Sequence, residues 1–191
     1  MIKSIVIAGV GGQGTLLASR LIGEAATLKN YDVKVSEVHG MAQRGGSVIT
    51  YVRYGDKVIS PIIPLGEADV LIAFEQLEAL RWANYLKKGG LLISNTQKID
   101  PMPVVTTKME YPDDIVEFLN NRIDNCHFID ALEIAVKSGS SKAVNSVLIG
   151  RMARESEIEK EVWLQALNKI APAKFIELNI KAFEAGYNYW I

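Results

Sequence analysis

The 191-residue sequence has a single cysteine, Cys126, and only two histidines, His39 and His127. One cysteine excludes an internal disulfide, an all-cysteine zinc site and an iron–sulfur cluster bound by this chain alone. Two imidazoles distant in sequence give a metal site little support, so no metal ligand is assigned. Charge of one sign is also missing: 21 Lys and Arg against 22 Asp and Glu leave a net charge of −1. Neither nucleic acid nor an anionic membrane is therefore expected as a partner. Long apolar runs are absent too. The opening "MIKSIVIAGV" meets glycine well short of the roughly 20 apolar residues of a membrane span, and it has no small-residue cleavage site of a secretion signal. Cytoplasm is the expected location. Internal repeats, low-complexity stretches and long linkers are lacking as well, so residues 1–191 are expected to form one domain.

What is present begins with "IVIA" at 5–8, apolar and without polar alternation, as in a strand buried on both faces of a parallel sheet. It runs into "GVGGQGTLLASRLIGEAA" (9–26), where Gly9, Gly11 and Gly14 stand in G-x-G-x-x-G spacing. A strand turning sharply into a helix needs glycines for the turn, for close approach of a ligand or backbone, and for close helix packing. From Thr15 onward, Leu17, Leu21, Ala25 and Leu28 recur at helical intervals. Amides at such a helix start favour phosphate, carboxylate or a partner's acidic side chain. The spacing alone is weak evidence for a nicotinamide or flavin cofactor. Glu37 is the only candidate for a ribose contact, and a surface glutamate on a strand is the simpler reading.

"DVKVSEV" (32–38) supplies a second strand completing a βαβ unit, and "SVITYVRYGDKVISP" (47–61) reads as a hairpin around Gly55-Asp56. "DVLIAF" (69–74) and "LLISN" (91–95) resume the buried-strand pattern, with a helix around 77–86 that stops at Gly89-Gly90. A proline-punctuated connection (97–105) leads to a helix opened by Pro112-Asp113, which carries Ile115, Phe118 and Leu119 inward. "CHFIDA" (126–131) is expected as the last strand, followed by helices at 142–154, 159–170 and 174–187 with Pro172 between the last two. The fold class is α/β: a Rossmann-like three-layer sandwich with a mostly parallel sheet, a β-hairpin insertion and a helical C-terminus. Phe183 and Tyr187 share a helix face suited to covering the sheet, while Tyr189 and Trp190 lie beyond Gly186 as interface candidates.

The loop "HGMAQRGG" (39–46) carries more chemistry than the glycine turn. It follows the second strand, at the sheet edge where open parallel sheets receive ligands, so the two glycine-rich loops should face each other. Arg44 offers a planar cationic fork for phosphate or carboxylate, Gly45 and Gly46 allow close backbone approach, and His39 titrates near neutrality. Pairing of Arg44 with an acidic neighbour and a loop-organising His39 explain the same residues. No second catalytic group accompanies them, and no Ser-His-Asp order, paired carboxylates or phosphate-loop lysine is present.

"GVGGQGTLLASRLIGEAA", "VKVSEVHGMAQRGGSVITYVRYG", "GEADVLIAFEQLEALR" and "VNSVLIGRMA" together resemble the gamma subunit or domain of 2-oxoacid:ferredoxin oxidoreductases. The resemblance is nearest to the small beta subunit of the indolepyruvate-type enzymes. It implies a non-catalytic subunit of a complex that converts a 2-oxo acid, such as pyruvate or indolepyruvate, and coenzyme A to acyl-CoA and CO2. Thiamine diphosphate, Mg and iron–sulfur clusters would reside on partner subunits, ferredoxin would be reached indirectly, and this chain would bind no cofactor alone. Gly9, Gly11, Gly12, Gln13 and Gly14, with His39, Gln43, Arg44, Gly45 and Gly46, are the candidate contact positions. Coenzyme A is the possible shared co-substrate, and no residue is assigned a catalytic role. A self-sufficient NAD(P)- or flavin-dependent oxidoreductase is the competing expectation, and a free-standing coenzyme A or nucleotide sensor a third.

Overall fold

The computed structural model describes residues 1–38, 46–106 and 109–190. Strands β1 (Ile2–Val10), β2 (Asp32–Val38), β3 (Ser47–Gly55), β4 (Ala68–Ala73), β5 (Leu86–Asn95) and β6 (Asn125–Ile129) form a six-stranded sheet in the order β2-β3-β1-β4-β5-β6. From β1 through β6 the neighbours are parallel, whereas β3 runs antiparallel to both β1 and β2. The helices are α1 (Thr15–Leu28), α2 (Gln76–Trp82), α3 (Met102–Val105), α4 (Ile115–Asn120), α5 (Ala131–Ser138), α6 (Val144–Arg154), α7 (Lys160–Ile170) and α8 (Ile176–Tyr187).

Strand periodicity of two splits the apolar residues between two cores. Ile5 and Ile7 of β1, Val52 of β3 and Ile72 of β4 face a core shared with α1, α6, α7 and α8. Val6, Ala8, Ile49, Leu71 and Leu92 face the other, closed by Ala79 of α2 and by Ile115 and Leu119 of α4. Both sheet faces are thus covered, which is why "IVIA" shows no polar alternation. On α1 the buried face is Ala18, Leu21, Ile22, Ala25 and Ala26; Leu28 remains at the surface.

Several local expectations are corrected. The run 47–61 is not a hairpin around Gly55-Asp56: β3 pairs with β1 and β2, and the chain then leaves the sheet. Gly55 is required by proximity, since a Cβ there would lie 2.3 Å from the Met1 carbonyl oxygen. β2 completes a crossover from β1, but β3 separates the two strands. The helix after β4 ends at Trp82, and Gly89-Gly90 lies inside β5, where Gly89 has φ +73° and the register with β4 shifts. Helix α5 had no counterpart in the sequence reading, and Phe118 is turned outward under Arg122, whose guanidinium lies 3.7 Å from its ring centroid.

Helix α8 packs chiefly on α6 rather than on the sheet, with Phe183 fully buried. Two glycines permit this crossing. A Cβ on Gly150 would lie 2.1 Å from the Phe183 carbonyl oxygen, and one on Gly186 would lie 2.0 Å from that of Val147. The helix backbones touch where each lacks a side chain.

Candidate functional site at the carboxyl edge of the sheet

β1 leads into α1 on one face of the sheet and β4 into α2 on the other, so the crevice between their carboxyl ends is the topological switch point. The glycine turn closes over it. Gly14, at φ +87°, is the N-cap of α1, and Gly12 adopts φ +101°, backbone that L side chains resist. Gly9 answers to packing: a Cβ there would lie 2.9 Å from Thr15 Cγ2 and 3.2 Å from Phe74 Cβ.

The crevice is laced by the chain's own groups. Gln13 Oε1 accepts from the Val10 amide at 2.7 Å, and its Nε2 donates to the Phe74 carbonyl at 3.1 Å, joining β1 to the end of β4. Fully buried Asn95 donates to the same carbonyl at 3.2 Å and accepts from the Ala131 amide at 3.1 Å. The Gly11 amide donates to the Gly46 carbonyl at 2.9 Å. The glycine turn therefore meets the end of the second loop at Gly46. His39, Gln43, Arg44 and Gly45 lie outside the described residues. Glu37, the ribose candidate, stands on edge strand β2 with β3 between it and β1, and accepts a hydrogen bond from Ser19 Oγ at 3.1 Å.

Beside the turn lies a cavity of about 290 Å³, lined by Val10, Gly46, Ser47, Glu75, Glu78 and the segment 101–103, among others. Glu75 and Glu78 are 1% and 3% exposed. The Glu75 carboxylate accepts from the Glu78 amide at 3.0 Å, the Ile99 amide at 3.1 Å and the Tyr111 hydroxyl. Burial, and then this carboxylate, raise the Tyr111 pKa, keeping its hydroxyl a donor. Glu78 accepts from Ser47 Oγ, from Trp82 Nε1 at 3.0 Å and from Arg81 Nε at 3.2 Å. Ser47 opens β3, so Glu78 ties the exit of the second loop to α2. In the sequence these carboxylates carry no assigned role; their signal is the two glutamates of "FEQLEALR", three apart where a buried strand becomes a helix.

Elsewhere, burial pushes the Cys126 thiol up to about 11, so it is not a thiolate nucleophile near neutrality. Among the described residues no group of three or more His, Cys, Asp or Glu is placed to hold a metal ion, and no helix is long and apolar enough to cross a membrane. Trp190 is 77% exposed, with the Arg154 guanidinium 3.7 Å from its ring centroid.

Residues 4–189 match the pyruvate ferredoxin/flavodoxin oxidoreductase family. The chain is 42% identical over 189 residues to indolepyruvate oxidoreductase subunit IorB of Pyrococcus horikoshii, covering 96% of this chain and 93% of that protein. It is 43% identical over 189 residues to IorB of Archaeoglobus fulgidus, covering 97% and 94%. The crystal structure of the keto/oxoacid ferredoxin oxidoreductase gamma subunit from Geobacter sulfurreducens superposes with a TM-score of 0.74 at 26% identity, covering 98% of this chain and 95% of that one. With both the sequence match and the shared fold spanning nearly its whole length, this chain belongs to the pyruvate ferredoxin/flavodoxin oxidoreductase family.

Proposed function

We propose that this chain is the non-catalytic, gamma-type subunit of a 2-oxoacid:ferredoxin oxidoreductase, acting on indolepyruvate or a similar 2-oxo acid with coenzyme A to give acyl-CoA and CO2. Thiamine diphosphate, Mg and the iron–sulfur clusters belong on the partner, and the carboxyl edge described above faces it. His39, Gln43, Arg44, Gly45 and Gly46, with the Gly9–Gly14 turn, contribute to that face and to the coenzyme A side of the active site. Arg44 suits a phosphate-bearing co-substrate, and the backbone at Gly12, where a Cβ would meet nothing within 4 Å, leaves the outer side of the turn open for the partner to approach.

The observation that carries this reading over a free-standing dinucleotide enzyme is the filled switch point. Gln13 Oε1 and the Gly46 carbonyl accept from the Val10 and Gly11 amides, donors that a pyrophosphate would otherwise claim, and the inserted β3 sets Glu37 one strand farther from the turn than a βαβ unit with adjacent strands would. Copurification with a coexpressed thiamine- and cluster-bearing subunit is the first test. Thermal unfolding with NAD(H), NADP(H), FAD and FMN is the second. A dinucleotide at about 100 times its dissociation constant stabilises its binder by about 2.7 kcal/mol, several degrees for a chain of this size. The reading predicts a stable complex and no shift; a shift with any of these cofactors overturns it.

A further inference from the structure

The amino edge of the parallel strands holds a second polar cleft. A cavity of about 270 Å³, lined among others by Lys3, Lys87, Asn125 and His127, adjoins one of about 620 Å³ that Tyr54 helps line. Lys3, Asp69 and Lys87 line both, so the two form one trough. Gly89, in the bulged part of β5, borders it, and its carbonyl is taken by Asn125 Nδ2 at 3.1 Å.

Buried polar atoms normally find partners, and each exception asks for a cause. Among the described residues three side-chain atoms are exceptions: Tyr54 Oη, His127 Nδ1 and Arg151 Nε. All three belong to this edge. Tyr54 and His127 line the trough; Arg151, 5% exposed, acts electrostatically on His127 and donates from Nη1 to Glu155, another lining residue, at 2.8 Å. The acidic groups are mostly engaged. Asp69 accepts from the Ser4 amide at 2.7 Å and pairs with Lys87, Glu155 pairs with Arg151, and Asp56 pairs with the N-terminal ammonium at 2.7 Å. Glu157 lines only the larger cavity, where it is the main charge acting on Tyr54 and an acceptor facing its hydroxyl, which is therefore not free for a ligand. Lys3 forms no ion pair among the described residues. The donors left over are the Lys3 ammonium, Arg151 Nε–H and the remaining hydrogens of Lys87.

We propose that this trough binds a small oxyanion-bearing metabolite, a carboxylate or a phosphate, whose oxygens accept from Lys3, Lys87 and the unpartnered Arg151 Nε–H behind them. The site lies at the opposite sheet edge from the glycine turn and is independent of the function proposed above.

The full-length chain, labelled with 15N, is titrated with inorganic phosphate and, separately, succinate at constant ionic strength made up with chloride. Saturable shifts are expected at Lys87, Gly89, Asn125 and His127 with one or both anions; the arm that saturates at lower concentration identifies phosphate or carboxylate. Lys3→Met should weaken binding by about tenfold to a hundredfold, the loss of one charged hydrogen bond. Absence of saturation with either anion up to about 10 mM, tenfold beyond a millimolar dissociation constant, overturns the proposal. So does binding that Lys3→Met leaves unchanged, or a crystal structure in the same anions showing only ordered water against Lys3 Nζ, His127 Nδ1 and Arg151 Nε.

Discussion

Asn95 shows how much of the carboxyl edge rests on single buried amides. Its Oδ1 satisfies the Ala131 amide at the start of α5, and its Nδ2 reaches the Phe74 carbonyl at the end of β4. Asn95→Ala leaves both without that partner, so unfolding in urea should show a loss of about 1–3 kcal/mol. At the other edge, burial and then the Arg151 guanidinium lower the His127 pKa, with Glu155 opposing. The unfolded chain therefore takes up this proton at higher pH than the folded one. The His127 contribution is complete above the unfolded value of about 6.5 and is lost as pH falls from there toward the lower folded value. Urea midpoints at about pH 8 and pH 5 should differ less in His127→Gln than in the unaltered chain; an equal difference refutes the assignment. Neither residue was legible beforehand. A polar side chain inside a strand shows its type in the sequence but not the backbone group it will meet.

The elements divide by how local their causes are. β1, the glycine turn and α1 were readable because an apolar run, a left-handed N-cap and a helical apolar face all lie within residues 2–28. The direction of β3 was not, since "SVITYVRYG" buries both faces whether it runs parallel or antiparallel. Gly89-Gly90 read as a helix stop because glycine punctuates a bulge as readily as a helix end. The quoted "VNSVLIGRMA" gains its reason only from the partner helix: Gly150 of α6 meets the α8 backbone and Gly186 of α8 meets that of α6. Gly150→Ala and Gly186→Ala should each cost about 3 kcal/mol or more, because backbone rather than a flexible side chain must give way. Once either methyl has forced the helices apart, the second should add much less. Additive losses in the urea unfolding of the double variant argue against one shared close approach.

At the scale of the molecule, a sheet that elsewhere would present an open crevice at its switch point has that crevice stitched by Gln13 and met by Gly46. Family membership was legible because the distinctive segments lie where the fold concentrates its close contacts: the glycine turn, the paired strands β2 and β3, the β4–α2 junction and the α6–α8 crossing. The buried Glu75 and Glu78 were present in the quoted segment, yet their partners Tyr111 and Ser47 lie 36 and 31 residues away along the chain. On the function proposed above, the chain performs no chemistry alone and completes a partner's active site. The most direct test mixes separately purified partner subunit and this chain, and follows indolepyruvate- and coenzyme A-dependent reduction of ferredoxin. No turnover is expected from this chain, little from the partner, and activity that rises with added chain until it saturates; full activity from the partner alone, or turnover by this chain unaided, would refute the proposed function.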